Sequence, residues 1–397
     1  MASLEELEID TAEPIFDSVS IPQEIKRFRA KDISYEKFFR YFLQTNTAVI
    51  LTSIANTWEC YQQWVTRDCT EVDNVDVSYL KARIDNVSVP VADCGKQHYN
   101  AHEKTEMNFF DFLDYWKNCG PERTGSKLYL KDWHLCRELP EYKFYQTPIF
   151  FASDWLNEFL IDRNLDDYMF VYIGIKDTWT SFHADVFSSF SWSTNITGEK
   201  KWLLLPPGEE VKLMDVLGNL PFEISEELLD SKEVLYYTVY QTAGEALFVP
   251  SGWYHQVHNI KNSISVNHNW FNGCNVTKIW RSLDRALEQV VKEIEDCRSM
   301  ENFDEHCQLM LKASHGMNYY DFTEIITHVC MKRLCAYVNE TEVVHFDRFR
   351  LGKNHIRFDI ESIQNILNLM LVRRNLLEKL QLFSKLEKCT KLINDTF

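Results

Sequence analysis

Apolar residues recur along this chain in two rhythms, with the change near residue 275. Between about residues 168 and 270 they come in short runs separated by Gly, Pro, Asn and Asp, the pattern of strands joined by turns. Strands are predicted over 168–173, 190–197, 202–205, 235–242, 246–249, 255–259 and 263–270. Pro206-Pro207-Gly208 stops one of them, and an acidic insertion over 209–232 follows, with a short helix at Glu226 to Leu229. After Asn275, a plausible N-cap, the apolar positions recur at helical spacing: Val276, Ile279, Trp280, Leu283, Leu287, Val290 and Ile294. Further helices are predicted over 303–313, 319–337, 360–372 and 375–393.

Many short strands without long helices between them argue for a barrel or double-sheet jelly roll, cupin-like in plan. The core is therefore expected to be mainly β, with N-terminal α/β additions and a C-terminal helical region. The additions comprise a helix over 35–44, a buried strand over 47–52, a helix over 103–117 ended by Gly120-Pro121 and Gly125, a strand over 128–131 and helical structure over 149–167. The domain plan is a mobile acidic arm over 1–22, a core over 23–275 and helices over 276–397. The last helices carry a leucine stripe (Leu376, Leu377, Leu380, Phe383, Leu386) at i, i+3, i+4 spacing. Such a stripe either covers the flank of the barrel or builds a homodimer or substrate platform.

Composition adds three constraints. The 397 residues, 45% hydrophobic, suffice for a large core, and 26 Phe, 18 Tyr and 11 Trp suit bulky strand packing. A net charge of −17 weighs against a nucleic-acid footprint and suits a basic peptide or protein partner. Eleven cysteines with no C-x-x-C pair read as reduced thiols, which points to the cytoplasm, with the nucleus not excluded. Neither a signal peptide nor an apolar run long enough to span a membrane is apparent.

The chemistry concentrates in Thr180-Ser-Phe-His183-Ala-Asp185 and Pro250-Ser-Gly-Trp-Tyr-His255. Residues two apart in a strand share a face, so His183 and Asp185 can aim an imidazole and a carboxylate at one point. A second imidazole would complete two histidines and one carboxylate, the ligand set of non-haem Fe(II) oxygenases. His255 and His258 are both candidates. Three apart on a strand, they face opposite sides, so only one can close the site.

These motifs, with Lys200 in Gly198-Glu-Lys-Lys-Trp202 and with Asn269-Trp270, resemble the JmjC-domain 2-oxoglutarate oxygenases over roughly residues 30–275. The resemblance implies a double-stranded β-helix using Fe(II), 2-oxoglutarate and O2, with His183, Asp185 and His255 as metal ligands and catalytic centre. It also implies cofactor-binding roles for Lys200 as the cation for the remote carboxylate of 2-oxoglutarate, for Thr180 and Tyr129 as hydroxyl partners, and for Asn269 near the iron-bound end. Some relatives carry Asn where this chain has Ser193, and Asn195 is a substitute on the same strand face. The run 179–207, Gly218-Asn-Leu-Pro221 and His255-Gln-Val-His-Asn259 are most similar to family members that hydroxylate a lysyl side chain of the eukaryotic translation termination (release) factor. The implied activity is protein lysyl hydroxylation coupled to decarboxylation of 2-oxoglutarate to succinate and CO2. N-methyl-lysine demethylation, RNA hydroxylation and a non-catalytic binding module are the alternatives.

Overall fold

The computed structural model describes residues 5–10, 22–66, 74–118, 125–339, 344–345 and 348–396. Two sheets face each other. The larger has nine strands in the order Lys26–Arg29, Val49–Thr52, Ala246–Val249, Phe190–Thr197, Ser263–Trp270, Met169–Gly174, Leu128–Trp133, Ser88–His98, Ala101–Asn108. The smaller has four, in the order Trp179–His183, Tyr254–Asn259, Glu199–Leu205, Tyr237–Thr242. The middle strands of the larger sheet and all of the smaller one form the jelly roll expected from the strand pattern.

Strand alternation sorts the side chains into layers. On the outer face of the larger sheet, Trp192, Phe248, Val266 and Trp270 are buried among helices from both ends of the chain, with the Phe151 ring stacked 5.2 Å from that of Trp192. Between the sheets, Ile50, Trp202, Leu204, Leu247, Val249 and Val257 form an apolar plug. Outside the smaller sheet, Leu203 and Leu205 are covered by Ile224 and Leu229 of the acidic insertion and by Val234 just after it. Its helix, Glu226–Ser231, is capped by Ser225, whose Oγ accepts from the Leu228 N–H at 3.2 Å.

Several local expectations are corrected. The stretch 103–117 is not one helix. Its first part belongs to the strand Ala101–Asn108, paired with Ser88–His98, and the helix is Phe109–Asn118. Glu103-Lys-Thr-Glu106 has no apolar face to bury, whereas Phe109, Phe112, Leu113 and Trp116 do. Charged side chains on that outermost strand also discourage edge-to-edge pairing. Gly120-Pro121 lie outside the described residues. Asn275 stands at the start of the helix Val276–Glu293, yet its side chain caps nothing there; Oδ1 accepts from the Asn272 N–H at 3.0 Å and Nδ2 donates to Ser251 Oγ at 2.8 Å. Helical structure over 149–167 is confined to a short turn at Ile149–Phe151 and the helix Trp155–Asp162.

Both chain ends differ from the sequence expectation. Within the expected mobile arm, Glu5–Leu7 form a strand parallel to Phe349–Leu351, because Leu7 and Ile9 have apolar surface to bury; residues 11–21 of that arm lie outside the described residues. The helix expected over 360–372 starts earlier, as Lys353–Met370, and the stretch 375–393 breaks into Arg374–Lys379 and Phe383–Thr396 around Gln381, which has a φ of 58°. Leu377, Leu380 and Leu386 of the leucine stripe are buried within the chain. The helices are fastened to the core by a buried ion cluster. Arg333 donates to both Glu158 oxygens, at 2.9 and 2.8 Å, and to Asp359 Oδ2 at 2.7 Å.

Candidate active site

Where the apolar plug ends, the inward faces of the two sheets turn polar and enclose a cavity of about 410 Å³, within the usual range of small-molecule sites. His183 and His255 are directly paired across neighbouring strands, with ring centroids 4.4 Å apart. One ligand atom from each of His183, Asp185 and His255 lies within 4.8 Å of the others. His183 Nδ1 sits 2.7 Å from the Ser181 carbonyl and His255 Nδ1 sits 3.1 Å from that of Trp253. A carbonyl only accepts, so each Nδ1 carries the proton and each Nε2 keeps a lone pair for a metal. Burial, then the neighbouring His255, push the His183 pKa down to about 4, favouring the neutral form a metal requires.

Asp185 lies just beyond its strand, which ends at His183. Its carboxylate is fixed from two sides: Ser191 Oγ donates to Oδ2 at 2.7 Å and Asn269 Nδ2 donates to Oδ1 at 2.8 Å. The turn that follows places Phe187 and Ser188 at φ 60°, in the left-handed region. The buried Phe187 ring meets Tyr168 at 5.3 Å and His315, at the end of the helix Phe303–His315, at 6.1 Å.

Thr180 and His183, three residues apart, would face opposite sides of a regular strand. A register shift between them lets both line the cavity. Regular alternation separates the lysines of the next strand. Lys200 points inward and is buried, while Lys201 turns outward to Glu226 at 2.8 Å. Lys200 Nζ donates to Ser265 Oγ at 2.7 Å and to Tyr129 OH at 3.5 Å. Burial, with Lys131 nearby, pushes its pKa down to about 7, and burial pushes the Tyr129 phenol well up. A buried ammonium supported by hydroxyls alone is what an anionic group entering the cavity would neutralise, and 2-oxoglutarate fits that requirement.

His258 faces away from the cavity, its ring stacked 5.5 Å from Trp179 and its Nε2 2.9 Å from Gln256 Nε2. Asn195 does not line the cavity; its Nδ2 donates to the Gly198 carbonyl at 3.0 Å. Asn267, unmarked in the sequence reading, does line it, as do Lys131 and Ser191. One signal could have found the polar wall: Ser191 and Ser193, and likewise Ser265, Asn267 and Asn269, alternate with large residues on strands buried on both faces. A second cluster, His134, Asp166 and Asp167, meets the same distance criterion, but its members are ion-paired with one another and with Arg137.

A family model described as JmjC domain, hydroxylase, matches residues 170–270. The chain is 45% identical to the 2-oxoglutarate and iron-dependent oxygenase JMJD4 homolog of Drosophila melanogaster, over 91% of this chain and 90% of that one. It is 40% identical to the 2-oxoglutarate and iron-dependent oxygenase JMJD4 of Homo sapiens, over 84% of this chain and 82% of that one. The arginine-specific demethylase JMJ20 of Arabidopsis thaliana is 35% identical over 77% of this chain and 70% of its own length. With its jelly roll, its His-Asp-His cluster and its likeness to these relatives through the flanking additions and helices, the chain belongs to the JMJD4 branch of the JmjC-domain 2-oxoglutarate and iron-dependent oxygenases.

Proposed function

We propose that this oxygenase is a protein hydroxylase whose target is a lysyl side chain of the translation termination factor. In this reading His183, Asp185 and His255 hold Fe(II), and Lys200, Thr180 and Tyr129 take the remote carboxylate of 2-oxoglutarate. Iron and 2-oxoglutarate, when bound, supply the oxidation of a substrate C–H bond by O2, with succinate and CO2 as co-products. The protein's part is geometric. The carbonyls of Ser181 and Trp253 fix the two imidazoles, and Ser191 with Asn269 fixes the carboxylate. Trp202 and Val257 form the apolar floor of the cavity, while Tyr168 and Phe170 form an aromatic wall for the entering side chain.

The observation that carries this reading is that the likeness to iron-dependent oxygenases extends over 91% of the chain, through the parts that would present a protein substrate as well as the catalytic core. A second reading, demethylation of an N-methylated side chain, is favoured by the likeness to a relative named as an arginine-specific demethylase. The test is incubation of the Fe(II)-loaded protein with 2-oxoglutarate and recombinant termination factor, or methylated arginyl and lysyl peptides, followed by mass spectrometry. Gain of one oxygen on a termination-factor lysine supports the proposal. Loss of methyl groups, without oxygen gain on that factor, selects the second reading.

A further inference from the structure

Lys131 stands two residues beyond Tyr129 on the strand Leu128–Trp133 and shares its inward face. Its Nζ lies 3.4 Å from Thr180 Oγ1 and 5.9 and 5.7 Å from the ring centroids of Tyr129 and Tyr172. Lys200 Nζ meets the same two rings, 3.5 Å from Tyr129 OH and 6.0 Å from the Tyr172 centroid. Two ammonium groups thus converge on one patch of hydroxyls. Their hydrogen-bond acceptors are neutral: Ser265 and Tyr129 for Lys200, Thr180 for Lys131. The neighbouring carboxylate, Asp132, hydrogen-bonds to Lys104 and to the Tyr172 hydroxyl, and through space it offsets the Lys131 charge only in part, since the Lys131 pKa is still pushed down by desolvation.

Each ammonium has three protons to donate, and a buried cation with a half-buried one close by is costly unless an anion joins them. A carboxylate offers about four lone-pair positions, enough to accept from both lysines and from hydroxyls at once. We propose that Lys131 is a second cationic anchor for 2-oxoglutarate, sharing its remote carboxylate with Lys200. This rests on the reading of the cavity as the 2-oxoglutarate site. It makes Lys131 a determinant of selectivity for a keto diacid over a keto monoacid.

The experiment is a titration of the Mn(II)-loaded full chain by calorimetry with 2-oxoglutarate and, separately, with 2-oxopentanoate, which has the same carbon count and no remote carboxylate. Lys131→Met should weaken 2-oxoglutarate binding by about ten- to a hundredfold, the effect of losing one charge-assisted contact. It should leave 2-oxopentanoate binding within about twofold of the original, since that ligand makes no contact to lose. Lys131→Arg should retain a larger share of the diacid preference. Equal weakening of both ligands would reduce Lys131 to a structural residue, and an unchanged 2-oxoglutarate affinity would remove it from the site. Failure of the unsubstituted protein to bind 2-oxoglutarate would overturn the cofactor reading itself, a separate result. Lys131→Gln, with thermal melting of each variant, guards against misfolding.

Discussion

Asn269 donates its side-chain amide to Asp185 Oδ1 at 2.8 Å, from a strand 84 residues further along the chain. The same Nδ2 also lies 3.1 Å from Ser189 Oγ, so one amide ties the carboxylate to the turn that follows it. The resemblance had implied a place for Asn269 beside the cofactor, and it does line the cavity. Its hydrogen bonds give it a further part, that of orienting the carboxylate. Asn269→Ala should weaken Fe(II) binding by roughly ten- to a hundredfold, as loss of outer partners does at metal sites. Metal titration of a folded variant checks this; unchanged affinity would leave Asn269 as a cavity-lining residue only.

The two distal histidines should separate cleanly. His255→Ala is expected to abolish metal binding and turnover together, because His255 faces His183 across the strand pair. His258→Ala should keep Fe(II) affinity, because its ring stacks outside on Trp179. Measurement of bound iron in both variants decides, and iron lost from the His258 variant with the His255 variant intact would reverse the ligand assignment.

Lys200 gives 2-oxoglutarate binding a pH dependence. In the free protein, burial and Lys131 hold its pKa down to about 7. A bound carboxylate favours the protonated form, so below pH 7 the anchor is already charged, and above it binding must draw in a proton. The affinity should therefore fall as pH rises past 7, by up to about tenfold per unit. Calorimetry in buffers of different ionisation enthalpy would register the proton uptake. A flat profile between pH 6.5 and 8.5 would count against the anchor role.

Arg333 bridges Glu158, beside the jelly roll, and Asp359, in the C-terminal helices, with its side chain fully buried. Arg333→Met removes the buried cation that joins the two carboxylates, leaving Glu158 to Lys332 and Asp359 to Trp155 and His355, and should cost about 3–5 kcal/mol. Denaturant unfolding of the variant measures this. A change below about 1 kcal/mol, the size of a surface ion pair, would mean that water reaches the cluster.

Removal of residues 374–397 should expose the face that holds Leu377, Leu386 and Ile393, each buried in the intact chain. At roughly 1.5–3 kcal/mol for each such side chain, the truncated protein is expected to aggregate or melt at a lower temperature. Light scattering and melting of intact and truncated proteins make the comparison. A truncated chain with unaltered melting temperature would return the stripe to the role of an interface.

The strands of the jelly roll were legible because each is a short apolar run closed by a turn, and 190–197, 246–249 and 263–270 coincide with the observed strands. His183, Asp185 and His255 were legible because they sit in tight sequence motifs. Lys131 was not, since the strand that carries it lies outside those motifs and only tertiary folding brings it to Thr180. The hairpin Ser88–His98 with Ala101–Asn108 was missed for a different reason. Its second strand is mostly polar and exposed, so no apolar alternation marks it. The inward turn of Thr180 depends on a register shift, which periodicity cannot anticipate.

Gly316 closes the helix Phe303–His315 at φ 82°, and a β-carbon there would meet the Phe187 ring at 3.0 Å. Any other residue would be strained at that angle and would press on the turn beginning two residues earlier at Asp185. For the interpretation of natural variants, this glycine belongs with the proposed iron site although it lies far from the ligand motifs in sequence. A substitution at Gly316 would be felt first at the turn that carries Asp185, so a survey of variants that scored only the His-Asp-His motif would overlook it.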